Sequence, residues 1–477
     1  MLMKKPSLLR WFCVALALFC FQGCAVTEPL APGRNTPPNI VVIMVDDMGW
    51  ADLACYGNTI VDTPVLDQFA KQGMFFTDAY AASPVCSPTR AAMMTGMSPA
   101  RVQLTNHAAG HPPGFVPKGK SLAEAPMVYN LALSHTTLAQ RLRDTGYNTA
   151  HIGKWHLSST RHSRDKSIKQ EALYPEHQGF EVNIGGVSSG GPPSFFSPYK
   201  NPRLPDGPEG EYLPARLADE AIAYIQQDRD KPFFINWWPY SVHWPMQAPE
   251  ELIKKYRKRM PDAPDNLVIY QAMIEGFDQE LGRFFDALDD AGLSDDTLVI
   301  FTSDNGSLYS NAPLRSIKGH LYEGGIRVPM MVRWPGVIEA GSVNETPIIS
   351  MDCVPTIIEV AGLPPIDDHP VDGESLIPLL TQSAALKRDA IYFHYPNYAF
   401  HKNNRLGSAI RQGDYKLIRW YDDNSGELYN LVNDLGEKKN LAEQKPGLAE
   451  DLNKKLGRWL EANGAQFPVP VTAEPQE

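Results

Sequence analysis

Along most of the chain, short unbroken apolar runs alternate with stretches whose apolar residues recur at helical spacing. Asn39 to Val45 (NIVVIMV) is a β-branched run of the kind buried on both faces of a parallel sheet, and it stops at Asp46-Asp47. Thr63 to Gln72 reads as a helix, Phe75-Phe76 follows, and after a loop with Pro84 and Pro88 another helix opens near Thr89. Helix Thr137 to Asp144, strand Tyr147 to Ile152, helix Ala215 to Gln227 and strand Pro232 to Trp238 continue the alternation. The long pattern Asn266 to Ala291 then leads into strand Thr297 to Thr302 (TLVIFT) and Ser303-Asp304-Asn305. Strands separated by helices predict an α/β/α sandwich on a largely parallel central sheet, whose ligands gather at the carboxyl ends of the strands. From about Arg388 the texture changes to short polar and aromatic strands (AIYFHY, SAIRQGDYKLIRW, GELYNL) and a closing helix, Gly447 to Ala462. That predicts a smaller α+β subdomain with an antiparallel sheet at 386–477, after a main domain at 39–385.

The amino terminus does not fit this alternation. Lys4, Lys5 and Arg10 precede an apolar run, Trp11 to Phe21, too short to span a bilayer as a helix and the length of a signal h-region. Residues 1–23 are expected to be an export signal. Gly23-Cys24 is similar to a bacterial lipoprotein cleavage site, which would make Cys24 the lipidated first residue and its lipid the one link to a membrane. Phe21 and Gln22 are unusual there, so ordinary signal-peptidase release stays open. Residues 24–38 read as a flexible tether, and the expected location is the periplasm or the outer membrane of a bacterium, with a secreted soluble form as the alternative.

Composition narrows the function classes. A chain of 477 residues with 43% hydrophobic content supports a full core, and its 41 Pro and 36 Gly are scattered without the period of a collagen or a solenoid. The formal charge of −11 becomes three charges more negative once the signal is removed, a surface that repels nucleic acid. An anionic substrate would therefore need a local cluster of cations or a metal to overcome the mean field. Of six cysteines, Cys13 and Cys20 leave with the signal, so the folded body holds Cys55, Cys86 and Cys353 and at most one bridge. Cys55 and Cys353 are expected as lone buried thiols.

Two carboxylate clusters end buried strands. If their strands are neighbours, Asp46-Asp47 and Asp304-Asn305 bring three carboxylates and an amide oxygen into one crevice, a hard-oxygen set suited to Ca²⁺ or Mg²⁺ and not to zinc. Either cluster alone could be turn chemistry. Cys86-Ser87-Pro88-Thr89-Arg90 precedes Ala91 to Gly96, with Ser87 placed as a helix cap and Pro88 as the first helical residue, which puts Cys86 at a helix N-terminus that favours anions. Lys154 and His156 in Gly153-Lys154-Trp155-His156 fall on one side if that segment is extended. His243 follows a buried strand in Ser241-Val242-His243-Trp244-Pro245, and Lys318 lies in Ser316 to Pro329.

Cys-x-Pro-x-Arg followed by Thr-Gly resembles the signature of the formylglycine-dependent sulfatases, and the other residues above resemble that family's active-site set in the same order. The resemblance runs from Asn39 through the Tyr415 to Asn440 region. It implies an alkaline-phosphatase-like fold and a formylglycine at position 86, made by a formylglycine-generating maturation enzyme. It implies Ca²⁺ held by Asp46, Asp47, Asp304, Asn305 and residue 86, with Arg90 steadying the formylglycine and the metal ligands. Hydrated formylglycine would attack sulfur, Lys154 and Lys318 would bind sulfate oxygens, His243 would protonate the leaving oxygen, and His156 would take the proton whose loss expels sulfate. The segments Tyr174 to Phe180, Phe195 to Tyr199 and Phe393 to Pro396 resemble the branch acting on sulfated galactose or N-acetylgalactosamine of polysaccharides, at O4. His177, His394, His401 and Arg405 lie in loop-like sequence and could meet sugar hydroxyls, with Trp244 stacking on the ring. Rival readings are a phosphoesterase or phosphonate hydrolase of the same superfamily, and a noncatalytic carbohydrate-binding lipoprotein. The single-metal ligand set and the Lys/His quartet favour sulfate.

Overall fold

The computed structural model describes residues 37–108, 110–163, 166–400 and 403–471. The expected signal segment 1–23, Cys24, the tether up to residue 36 and His401 lie outside the described residues.

Eight strands make the central sheet: β1 (Asn39–Val45), β2 (Met74–Phe76), β3 (Asn148–Gly153), β4 (Val182–Ile184), β5 (Phe233–Trp238), β6 (Thr297–Ser303), β7 (Met330–Arg333) and β8 (Ser342–Asn344). In space they run β8-β2-β7-β6-β1-β5-β3-β4. All pair in parallel except β7, which is antiparallel to both neighbours. The helices that matter here are α1 (Pro64–Gln72), α2 (Cys86–Thr95), α3 (Leu138–Asp144), α4 (Leu213–Ile225), α5 (Asp265–Asp290) and α6 (Cys353–Val360).

β1 explains the architecture. Side chains alternate along a strand, so Val41, Ile43 and Val45 enter one core with residues of α1, α4 and α5, while Ile40, Val42 and Met44 enter a second core with residues of α2, α3 and α6. An unbroken apolar strand is what a sheet covered on both faces requires. Thr137 starts α3 with a reciprocal cap: its hydroxyl accepts the Gln140 N–H at 3.1 Å, and the Gln140 side chain accepts the Thr137 N–H at 2.7 Å. The helix carrying Cys86 begins earlier than expected, with extended Val85 as its cap and Cys86, not Pro88, as its first residue. Pro88 costs nothing there, because the first-turn N–H groups of a helix have no intrahelical partner.

The C-terminal region is an antiparallel meander of β9 (Ala390–Tyr395), β10 (Gly407–Gln412), β11 (Tyr415–Trp420) and β12 (Gly426–Asn430), followed by helix α7 (Pro446–Ala462). One face, with Ala390, Ile410, Leu417 and Leu428, buries Leu452, Leu456 and Leu460 of α7. The other, with Ile391, Phe393, Ala409 and Ile418, packs on Tyr80, Val85 and Ala92 of the main domain, next to the start of α2. Among the described residues no helix is long and apolar enough to cross a membrane.

Candidate active site

β1 and β6 are adjacent and end level, with Val45 opposite Ser303, so Asp46-Asp47 and Asp304-Asn305 leave the sheet side by side. Successive strand residues point to opposite faces, but Asp47 turns to a positive φ of 64°. The Asp47 N–H donates to Asp304 Oδ1 at 3.2 Å, and Asn305 Nδ2 donates to Asp47 Oδ1 at 2.7 Å. Cys86, at the amino end of α2, points into the same space, with Sγ 3.4 Å from Asp46 Oδ1 and 3.9 Å from Asp47 Oδ1. It is wholly buried.

Three cations enclose the carboxylates. Arg90, one turn along α2, donates from Nε and Nη2 to Asp304 Oδ2 at 2.9 and 2.7 Å and from Nη1 to the Lys154 carbonyl at 3.1 Å, while its plane lies over Trp238. Lys154 Nζ donates to Asp46 Oδ2 at 2.6 Å. Lys318 Nζ donates to Asp47 Oδ1 and lies 3.2 Å from the Cys86 sulfur. Burial raises the Asp46 carboxyl well above the carboxylate range in spite of Lys154. It works the same way on Asp47 and Asp304, but Lys318 and His243 hold Asp47 low and Arg90 holds Asp304 low. Burial and the nearby Asp304 push the Cys86 thiol up, so it rests protonated.

Two histidines complete the enclosure. β3 ends at Gly153, whose φ is +103°, and His156 has a φ of +59°, so the chain bends out of the strand there and the condition under which Lys154 and His156 would share one side of an extended segment is not met. A Cβ on Gly153 would stand 2.0 Å from the Trp238 carbonyl oxygen, which is why the chain turns on glycine there. The Ser87 hydroxyl, next to Cys86, donates to the His156 carbonyl at 2.9 Å and accepts the Ala108 N–H at 2.9 Å. His156 Nδ1 is buried without a hydrogen-bond partner among the described residues. His243 Nδ1 donates to the Trp244 carbonyl at 2.9 Å, which leaves Nε2 facing Asp47 Oδ2 at 3.6 Å. Burial pushes His243 down to about 3 and His156 well below the ordinary imidazole value, so both rest neutral.

The donor set fits a hard divalent cation. Ligand atoms of Asp46, Asp47, Cys86 and Asp304 all lie within 4.8 Å of one another. Among the described residues, the buried oxygens Asp47 Oδ2 and Asn305 Oδ1 have no hydrogen-bond partner, a state that costs about 1–3 kcal/mol each and that oxygen-seeking ions relieve. With Asp46 ionised beside a bound cation, the three carboxylates would balance Arg90, Lys154 and Lys318, and a divalent ion would turn the pocket net positive, as an anionic substrate requires.

The family model described as Sulfatase matches residues 38–363. The chain belongs to the sulfatase family. It is a hydrolase of sulfate esters, on the alkaline-phosphatase-like fold of that family. A second family model, the C-terminal part of N-sulphoglucosamine sulphohydrolase, matches residues 317–465. A sulfatase of Formosa agariphila is 32% identical over 90% of this chain and 90% of its own length. N-acetylgalactosamine-6-sulfatase of Homo sapiens is 30% identical over 94% of this chain and 84% of its own. The crystal structure of Ps i-CgsB in complex with k-i-k-neocarrahexaose has a TM-score of 0.75 at 26% identity, covering 91% of this chain and 95% of that one.

Not every residue read from the sequence joins the pocket of this sulfatase. His394 is buried in the C-terminal region, with Nδ1 2.7 Å from the Ser408 hydroxyl and Nε2 2.9 Å from the Gln466 carbonyl, so neither ring nitrogen is free for a sugar. Arg405 is spent on Asp422 and Asp423 at 2.6 and 2.7 Å and lies over Trp420. His177 is exposed at the end of the short turn Pro175–His177. Trp244, beside His243, keeps 44% of its surface exposed. His107 escaped the sequence reading: its ring centroid is 6.0 Å from that of His156, and it feels Lys318, Lys154, Asp47 and His243. A histidine in a polar loop carries no periodicity that could have singled it out.

Proposed function

We propose that this sulfatase is exported and removes sulfate from galactose or N-acetylgalactosamine units of polysaccharides, with Cys86 converted to formylglycine by a maturation enzyme and Ca²⁺ held by Asp46, Asp47, Asp304 and Asn305. The observation that carries the reading is Cys86 itself: a buried residue at a helix N-terminus, flanked by Lys318 and three carboxylates, beside which Asp47 Oδ2 and Asn305 Oδ1 lack hydrogen-bond partners among the described residues. When present, the ion and the hydrated aldehyde supply charge neutralisation and a nucleophilic hydroxyl beside it.

The remaining work falls to the chain. Lys154 and Lys318, whose ammonium groups lie against Asp46 and Asp47, would bind sulfate oxygens. Arg90 fixes Asp304 and, through the Lys154 carbonyl, the turn that carries Lys154. His243 presents Nε2 to the leaving sugar oxygen, and an adjacent sulfate favours its imidazolium form as proton donor. His156, neutral and with Nδ1 unpartnered, is suited to accept a proton beside residue 86. The galacto-configured substrate draws support from the N-acetylgalactosamine-6-sulfatase relatives and from the neocarrahexaose complex. The signal-like residues 1–23 and Cys24 support export, with a lipid anchor.

The test has two arms. Mass spectrometry of the tryptic peptide Gln72 to Arg90 from protein made in its own host is expected to find an aldehyde in place of the thiol; a fully active protein with an intact thiol refutes the nucleophile. Sulfate release is then compared on 4- and 6-sulfated galactose and N-acetylgalactosamine, 6-sulfated glucosamine and an aryl phosphate, before and after chelation. Activity on a galacto-configured sugar, lost to chelator and restored by Ca²⁺, is expected. The 4-sulfate is the position expected from the sequence and the 6-sulfate the one in the mammalian relatives' name. Preference for glucosamine refutes the sugar, and preference for phosphate refutes the reaction.

A further inference from the structure

His107 stands at the rim of the pocket in a fixed tautomer. Asn106 Oδ1 accepts the His107 backbone N–H at 2.9 Å and the Tyr395 hydroxyl at 3.0 Å, and it lies 3.1 Å from His107 Nδ1. An amide oxygen has no proton to give, so Nδ1 carries the hydrogen and Nε2 presents a lone pair. Nε2 has no hydrogen-bond partner among the described residues. Next to His107, with ring centroids 5.4 Å apart, stands Phe400, which leaves 68% of its surface exposed. Phe400 also packs against His111, centroid to centroid 4.9 Å, and His111 is itself held by Glu124 at 2.9 Å and stacked on Phe115. An aromatic ring this exposed, held by two histidine rings and adjoining the pocket, is a built platform and not a stray surface residue.

The geometry points to His107 and Phe400 as the pair that selects the sugar: His107 Nε2 accepts a hydrogen bond from the hydroxyl next to the sulfate, and the exposed ring of Phe400 covers the apolar face of that sugar. This rests on the sulfatase reading above and adds its specificity. A lone-pair acceptor demands a donor, so a sugar with a hydroxyl at that carbon is accepted, while a deoxy sugar leaves Nε2 unpaired and a second sulfate there meets repulsion. Aryl sulfates carry no such hydroxyl and do not use the contact.

The ratio of kcat/KM on a sulfated galactoside to kcat/KM on 4-nitrophenyl sulfate is the readout, because damage to sulfur chemistry or to folding lowers both terms together. His107→Ala is expected to lower this ratio about tenfold or more. His107→Gln, whose amide oxygen can accept the same hydrogen bond, recovers part of it. Phe400→Ala lowers the ratio mainly through a higher KM for the sugar. A ratio unchanged in His107→Ala and Phe400→Ala, whether both activities fall or neither does, overturns the assignment while leaving the sulfatase reading intact. A parent enzyme inactive on every sulfate ester overturns both.

Discussion

Arg90 ties chemistry to stability through the shape of one side chain. Its planar fork places two N–H groups on Asp304 and a third on the Lys154 carbonyl, and no exposed surface remains to let water substitute. Lysine has the charge but not the fork. Arg90→Lys is expected to cost about 3 kcal/mol in urea denaturation and to lower kcat/KM at least about a hundredfold, since Asp304 and the Lys154 turn both lose their anchor. A variant within twofold of the parent in activity would contradict this. His394 offers a pH test far from the pocket. Burial, aided by Arg419, pushes it down to about 4 from an ordinary 6.5, although the Gln466 carbonyl works the other way. Its folded-state value is depressed, so the unfolded chain binds the extra proton first. The stability it contributes is complete above pH 6.5 and drains as pH falls toward 4, by about 3 kcal/mol. The stability difference between the parent and His394→Asn should therefore shrink by about that amount from pH 7 to pH 4; a constant difference would refute the buried neutral imidazole.

At the scale of elements, Gly153 is where β3 must stop. Its positive φ and the Trp238 carbonyl 2.0 Å from any added Cβ make Gly153→Ala a backbone change, which displaces Lys154 and His156 together. We expect about 2–4 kcal/mol of lost stability and a loss of sulfate release that exceeds what reduced folding explains, read by thermal melts beside activity at low temperature. The bend after Gly153 was not legible in the sequence, which placed Lys154 and His156 on one side only on the condition that the segment is extended; the need for glycine there comes from the Trp238 carbonyl of β5, which lies far along the chain. The long strands were legible because four to six apolar residues buried on both faces have no other simple reading, as β1, β5 and β6 illustrate. Three-residue strands such as β2 and β8 carry too little pattern, and the reversed direction of β7 leaves no mark on its composition. The start of α2 was misjudged by two residues because Pro88 is equally at home at the first and third helical positions. The convergence of Asp46, Asp47, Cys86 and Asp304 could be anticipated from strand ends and motif. The tautomer of His107 depends on Asn106 and Tyr395 and could not.

For the whole molecule, the two sheets are joined by buried charge. Lys416 of β11 lies 2.9 Å from both Glu323 and Glu437, and Glu323 also takes the Tyr80 hydroxyl at 2.7 Å and Arg327 at 3.2 Å. Burial opposes both carboxylates, yet Lys416 and Arg327 hold Glu323 down at about 2, whereas Glu437 is pushed up to about 7. Lys416→Met removes the one ammonium serving two carboxyls and should cost about 3–5 kcal/mol. Because this seam borders the start of α2, partial unfolding there should release the C-terminal sheet and activity together. Limited proteolysis that frees residues 386–477 from a still active remainder would contradict the link.

The complete enclosure of Cys86 also sets an order of events in the life of the protein. A side chain with no exposed surface, roofed by Lys318, cannot enter the cleft of another enzyme. On the formylglycine reading, the thiol has to be converted while the polypeptide is still an open chain, before or during its passage out of the cell. Native protein that has kept its thiol should stay unconverted when mixed with the maturation enzyme, whereas the same chain offered in denaturant-free dilution from the unfolded state should be converted in competition with folding. Equal conversion of the two would mean that the pocket opens far more readily than its packing implies.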